Sequence, residues 1–126
     1  PKKAHEFDAC YDIYSAEDAV VPAVGSVSIS TGIRLLIPEG YYVEIRPRSG
    51  LMFKNNIMAF PGTIDFGYID TVRVFLTNNG IQPYHVKYGT RIAQMRLVKL
   101  EPTEIVPVNS FDDAFDRGGG LGSTGI

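Results

Sequence analysis

"GTIDFGYID", residues 62–70, places a carboxylate, Asp65, and a phenol, Tyr68, between and beside two glycines, Gly62 and Gly67. Gly-x-Ile-Asp reads as the end of a strand, and the glycine after it marks a tight turn. The spacing predicts a hairpin that returns through 72–77 (VRVFLT), whose alternation suits a half-buried strand. Further β-rich runs lie on either side: 27–37 (VSISTGIRLLI), 41–46 (YYVEIR), 91–100 (RIAQMRLVKL) and 104–108 (EIVPV). Gly, Pro or Asn-Gly bounds each of them, as at 78–80 (NNG). Only 50–56 (GLMFKNN) has room for a short helical turn. Thirteen glycines, eight prolines, seven tyrosines and seven phenylalanines favour turns and strands over helices. The fold class is all-β, a single domain built as a sandwich or barrel-like roll.

The totals agree with one domain. A chain of 126 residues, 44% of them hydrophobic, buries roughly two-thirds of its unfolded surface and needs no staples. A formal net charge of -2 steers it towards neither nucleic acid nor an anionic membrane. The single cysteine, Cys10, excludes an internal disulfide. No apolar run approaches the ~20 residues of a membrane span, and Pro-Lys-Lys is not the start of a signal peptide. The expectation is an intracellular protein, cytoplasmic or nuclear. Residues 117–126 (RGGGLGSTGI) differ from the rest: five glycines and little that can pack predict a mobile arm after a β domain at 1–116. That arm still carries an arginine and a Ser-Thr pair.

Four clusters join the hairpin as carriers of chemistry: 9–16 (ACYDIYSA), 46–51 (RPRSGL), 89–95 (GTRIAQM) and 117–125 (RGGGLGSTG). Each has a plain reading when taken alone. Arg-Pro-Arg-Ser-Gly is a polar turn, Asp12 caps a turn, Gln94 is an outward strand residue, and Asp65 bonds its own backbone. In order and spacing, however, the five blocks resemble the five motifs of the homotrimeric dUTP diphosphatases (dUTPases), from Ala9 to Gly125.

The resemblance implies a jelly-roll-like β-clip, assembled as a homotrimer with three active sites at subunit interfaces. It implies hydrolysis of dUTP to dUMP and pyrophosphate with Mg²⁺, which keeps uracil out of DNA and supplies dUMP for thymidylate synthesis. Asp65 matches the aspartate that holds the attacking water and touches the sugar 3′-OH. Tyr68 matches the ring that lies against the deoxyribose and leaves no room for a 2′-OH. Thr63, Ile64 and the returning strand near Arg73 match the backbone that reads uracil. Rigid backbone readout rejects cytosine by leaving buried polar groups unpaired. Arg48, Ser49, Gly50 and Gln94 match phosphate contacts. Asp12 matches the residue that holds Mg²⁺ through its water shell, in keeping with an ion that retains waters and uses few carboxylates. Arg117, Leu121, Gly122, Ser123 and Thr124 match an arm that closes over the substrate. The implied partners are dUTP and two further copies of the chain, with no nucleic acid and no membrane.

The pattern departs from the family in places. Cys10 stands for a glycine, Ala59 for an asparagine that helps bind uracil, and Ile69-Asp70-Thr71 for Arg-Gly-Glu. Leu121 stands where Phe or Tyr usually stacks on the base, and the last motif is about one residue short between Arg117 and Gly122. Two other functions remain open at this point. A dCTP deaminase shares the fold but uses a glutamate after the hairpin, and this chain has none between Glu44 and Glu101. A nucleotide-switched regulator would keep the fold and act through protein partners.

Overall fold

The computed structural model describes residues 1–125. Nine strands and one helix follow in order: β1 (Tyr11–Tyr14), β2 (Ala19–Val21), β3 (Ser26–Arg34), β4 (Tyr41–Arg46), α1 (Ser49–Asn55), β5 (Ile57–Ala59), β6 (Gly62–Ile64), β7 (Thr71–Asn78), β8 (Tyr84–Val86) and β9 (Arg91–Lys99). They form three antiparallel sheets that do not close into a barrel. These are a four-stranded sheet ordered β1-β9-β4-β6, a pair β2-β8, and a three-stranded sheet β3-β7-β5.

Strand alternation builds the core. In β7, Val72, Val74 and Leu76 point inward while Arg73 and Phe75 face out; in β4, buried Val43 and Ile45 alternate with Glu44 and Arg46. With Ile13, Ile29, Ile57 and Ile92 they make one continuous apolar cluster. Asn78 ends β7 inside this core with its side chain satisfied. Its Nδ2 donates to the carbonyls of Val21 (3.2 Å) and Gln82 (2.7 Å), and its Oδ1 accepts from the Gly80 amide (2.9 Å). Asn78 is therefore a buried pin as well as a strand boundary.

Three expectations need correction. The bend at 62–70 is not a hairpin of paired strands: β6 pairs with β4, whereas β7 pairs with β3 and β5, so the bend carries the chain from one sheet to another. Residues 104–108 form no strand; every residue of 101–125 is exposed, and no neighbouring strand offers 104–108 a ladder. The run at 27–37 is a strand only to Arg34, after a register irregularity between Ser30 and Arg34. The helical turn expected at 50–56 is α1, shifted by one residue because Asn56 adopts a left-handed conformation (φ 58°) and caps it. Residue 126, the last of the expected arm, lies outside the described residues.

Candidate active site

The residues singled out in the sequence, those of the arm excepted, gather in two cavities. The first, about 480 Å³, is lined by Thr63, Ile64, Asp65, Tyr68 and Arg73, together with Ile45, Val72 and the phenyl rings of Phe60 and Phe75. A β-turn shapes one wall. The Tyr68 amide donates to the Asp65 carbonyl (3.1 Å), and Gly67 sits at φ 92°, a conformation that favours glycine. The Asp65 side chain is exposed and has no protein hydrogen-bond partner among the described residues. The Tyr68 hydroxyl donates to the Thr71 carbonyl (3.0 Å), which fixes the ring against the bend. Asp70 acts locally, its Oδ1 accepting the Thr71 amide (2.7 Å) at the start of β7. Arg73 turns its guanidinium onto β3, donating to Ser28 Oγ (2.8 Å) and to the Ser28 carbonyl (3.0 Å).

The second cavity, about 420 Å³, is lined by Asp12, Arg48, Ser49, Gly50 and Gln94, with Asp8, Cys10, Arg46 and Arg91 added. Register explains the gathering: Asp12 on β1, Gln94 on β9 and Arg46 on β4 lie directly across from one another, so their side chains share one face of the sheet. Asp12 is held by two guanidinia, Arg48 Nε at 3.3 Å and Arg91 at 3.5 Å. Gln94 Nε2 donates to the Pro47 carbonyl (2.9 Å), tying β9 to the Arg-Pro-Arg turn. Beside the cavity, hydrogen bonds from Arg96 and then Arg46 hold the Glu44 carboxyl below its ordinary value of 4.5. Glu44 raises Arg96 in return.

The cavities share no lining residue. Ile45 and Arg46, neighbours on β4, line one each, because successive strand side chains point to opposite faces. One copy of the chain thus carries the candidate residues of its body in two separate cavities. Arg117, Leu121, Gly122, Ser123 and Thr124 line neither cavity. They stay in solvent, with a turn closed by the Ser123 amide on the Gly120 carbonyl (3.0 Å). Sequence reasoning missed Arg46, Arg91, Phe60 and Phe75. Arg46 and Arg91 stood in the singled-out blocks 46–51 and 89–95 without being given a role; Phe60 and Phe75 read as ordinary outward strand or turn residues.

Among the described residues no group of three His, Cys, Asp or Glu side chains is placed to cage a metal. Among the same described residues no helix is long and apolar enough to cross a membrane.

The family model for dUTPase matches residues 1–125. The deoxyuridine 5′-triphosphate nucleotidohydrolase of Paramecium bursaria Chlorella virus 1 is 42% identical over 126 residues, covering 100% of this chain and 89% of that protein. The Saccharomyces cerevisiae protein of the same name is 40% identical, covering 99% and 86%. A solved structure of the Staphylococcus bacteriophage 80alpha dUTPase with dUpNHpp superposes with a TM-score of 0.91 at 28% identity, covering 100% of this chain and 91% of its own. A variant of the phage phi11 dUTPase, in a structure describing a structural Mg(II) ion, gives 0.82 at 28% identity over 90% and 91%. The deaminase and the pure regulator gain no support from these relatives. The chain belongs to the dUTPase family.

Proposed function

We propose that this chain hydrolyses dUTP to dUMP and pyrophosphate in a homotrimer, at sites each assembled from more than one copy, with Mg²⁺ on the substrate phosphates. The observation that carries the reading is an unpartnered Asp65 in the wall of a mainly apolar cavity that also holds Tyr68 and the strand edge of Thr63 and Ile64. Uracil fits that edge through donor–acceptor–donor pairing with backbone groups, and the Tyr68 ring faces the sugar. Asp65 orients a water towards the α-phosphorus. As the new P–O bond forms, the bond from that phosphorus to the α,β-bridging oxygen breaks, pyrophosphate leaves, and Asp65 takes the water's proton.

Arg48, Ser49, Gly50 and Gln94 hold the phosphates in the second cavity. For the metal, the donor set is Asp12 beside an arginine-lined cavity, with Asp8 near. It fits an ion that keeps its waters and takes most other ligands from phosphate, and it does not fit a closed protein cage. Bound there, Mg²⁺ supplies charge neutralisation on the phosphate oxygens. Arg117, Leu121, Gly122, Ser123 and Thr124 cover the bound nucleotide.

Two features support sharing between copies. The two groups of candidate residues line separate cavities with no residue in common, so a site that uses both draws on more than one copy. Residues 101–125 also leave the body with Ile105, Phe111 and Phe115 more than four-fifths exposed, an apolar strip suited to lying on a neighbour. The test is a substrate panel of dUTP, dCTP, dTTP and UTP with Mg²⁺, scored for pyrophosphate and ammonia. Pyrophosphate from dUTP alone supports the reading; ammonia from dCTP, or no turnover of any substrate, overturns it.

A further inference from the structure

Arg46 is a cation of the second cavity to which neither the family pattern nor the proposed mechanism gives a role. It ends β4 directly across from Gln94, on the face that also carries Asp12. Pro47 follows it and restricts its backbone to the extended region, so the side chain stays on that face. Its NH1 donates to Glu44 Oε1 (2.8 Å), and the other oxygen of Glu44 accepts from Arg96 Nε (2.9 Å). Two guanidiniums share one carboxylate, so the group keeps a net positive charge. The Glu44 bond occupies one part of the Arg46 fork; its remaining N–H groups have no protein partner among the described residues. The other two arginines of the cavity differ, since Arg48 and Arg91 both spend contacts on Asp12. The Arg46 side chain is also 49% exposed, open to an incoming anion.

We propose that Arg46 is a further phosphate-binding residue of this site, contacting the triphosphate beyond its α-phosphate, and that Glu44, braced by Arg96, is the positioning residue that aims it. The inference rests on the nucleotide-hydrolase reading, because it needs a polyphosphate in the second cavity. A guanidinium suits such a contact because it is always charged, planar, and able to give two parallel hydrogen bonds to phosphate oxygens. Glu44 stays ionised at neutral pH and limits the rotamers of a long side chain, which lowers the ordering cost on binding.

The test measures equilibrium binding of a non-hydrolysable dUTP analogue, of dUMP and of inorganic tripolyphosphate, beside dUTP turnover. The proteins are the parent, Arg46→Met, Arg46→Lys, Glu44→Gln and the double variant Glu44→Gln/Arg46→Met. Arg46→Met keeps the apolar stem and removes the charge. Affinity for the analogue and for tripolyphosphate is expected to fall about tenfold, with dUMP affinity changing less than about twofold. Arg46→Lys recovers part of the loss, and analogue binding by Arg46→Met depends less steeply on salt than in the parent. Glu44→Gln weakens the analogue by a smaller factor, and the double variant is no weaker than Arg46→Met alone, since Glu44 acts only through Arg46. Unchanged analogue binding in Arg46→Met overturns the proposal. So does an equal loss for dUMP, which marks a merely structural role, and so does a double variant much weaker than Arg46→Met, which removes Glu44 as its positioner. A parent that binds the analogue without turning over dUTP fails the hydrolase reading separately, and the binding series still decides on Arg46.

Discussion

One β-turn sets Asp65 and Tyr68, three residues apart, on the same wall of the first cavity. Asp65→Asn keeps the size and the hydrogen bond to the sugar but cannot take the proton of the attacking water. The variant is expected to fold and bind a dUTP analogue like the parent, with kcat lowered about a hundredfold or more. Single-turnover pyrophosphate release checks this, and near-parental turnover would remove Asp65 as base. Tyr68 contributes its ring, held by its hydroxyl on the Thr71 carbonyl. Tyr68→Ala opens space for a 2′-OH, so the ratio of kcat/KM for dUTP over UTP should drop. A ratio unchanged from the parent would assign sugar discrimination to Asp65 instead. Asp70, without a role in the sequence pattern, has a local one: it receives the first amide of β7.

The bend that carries these side chains depends on Gly67, at φ 92° with nothing within 4 Å of where a methyl group would stand. Gly67→Ala therefore costs backbone strain alone, about 1 kcal/mol, and should lower the thermal midpoint at matched protein concentration. A midpoint equal to the parent's would mean that the turn relaxes without loss. The same bend shows where sequence reading stops. β4 and β7 were legible because each is long enough to alternate across a buried and an open face, and β9 because its β-rich run is long and bounded by turn residues. β2, β5 and β8 have three residues each, too few to show a period, and they gain their stability from the partner strand. Residues 62–77 looked like a hairpin because alternation marks a strand and says nothing of its partner. Tertiary pairing then sent β6 to β4 and β7 to β3 and β5. Residues 104–108 failed for the converse reason: Ile105, Val106 and Val108 have strand chemistry, yet one copy offers them no neighbour. Of the site, Asp65, Tyr68 and the Arg-Ser-Gly turn were legible in punctuated loops. Arg46 stood inside the singled-out block 46–51 but without a role, because only the register sets its side chain beside Gln94 and Asp12.

Seen whole, one copy holds its two cavities apart: they share no residue, and residues 117–125 line neither, which is why the proposed site draws on more than one copy. Residues 117–125 contribute nothing to the core, so a chain shortened by residues 117–126 should fold and assemble like the parent, with turnover reduced to a small fraction. Mass measurement and pyrophosphate release check the two halves of that statement; full activity in the shortened chain would deny the arm a part in the reaction.

The claim that sites are shared between copies is tested most directly by mixing two defective chains, Asp65→Asn and Arg48→Met, and co-folding them. Each alone should assemble and be nearly inactive. In a closed three-fold ring, every mixed trimer has one junction where an intact Asp65 meets an intact Arg48. Random mixing makes about three-quarters of trimers mixed, so about a quarter of parental activity should return. Mixed trimers confirmed by mass that remain as inactive as either parent chain would show that each copy works alone, and would contradict the shared site.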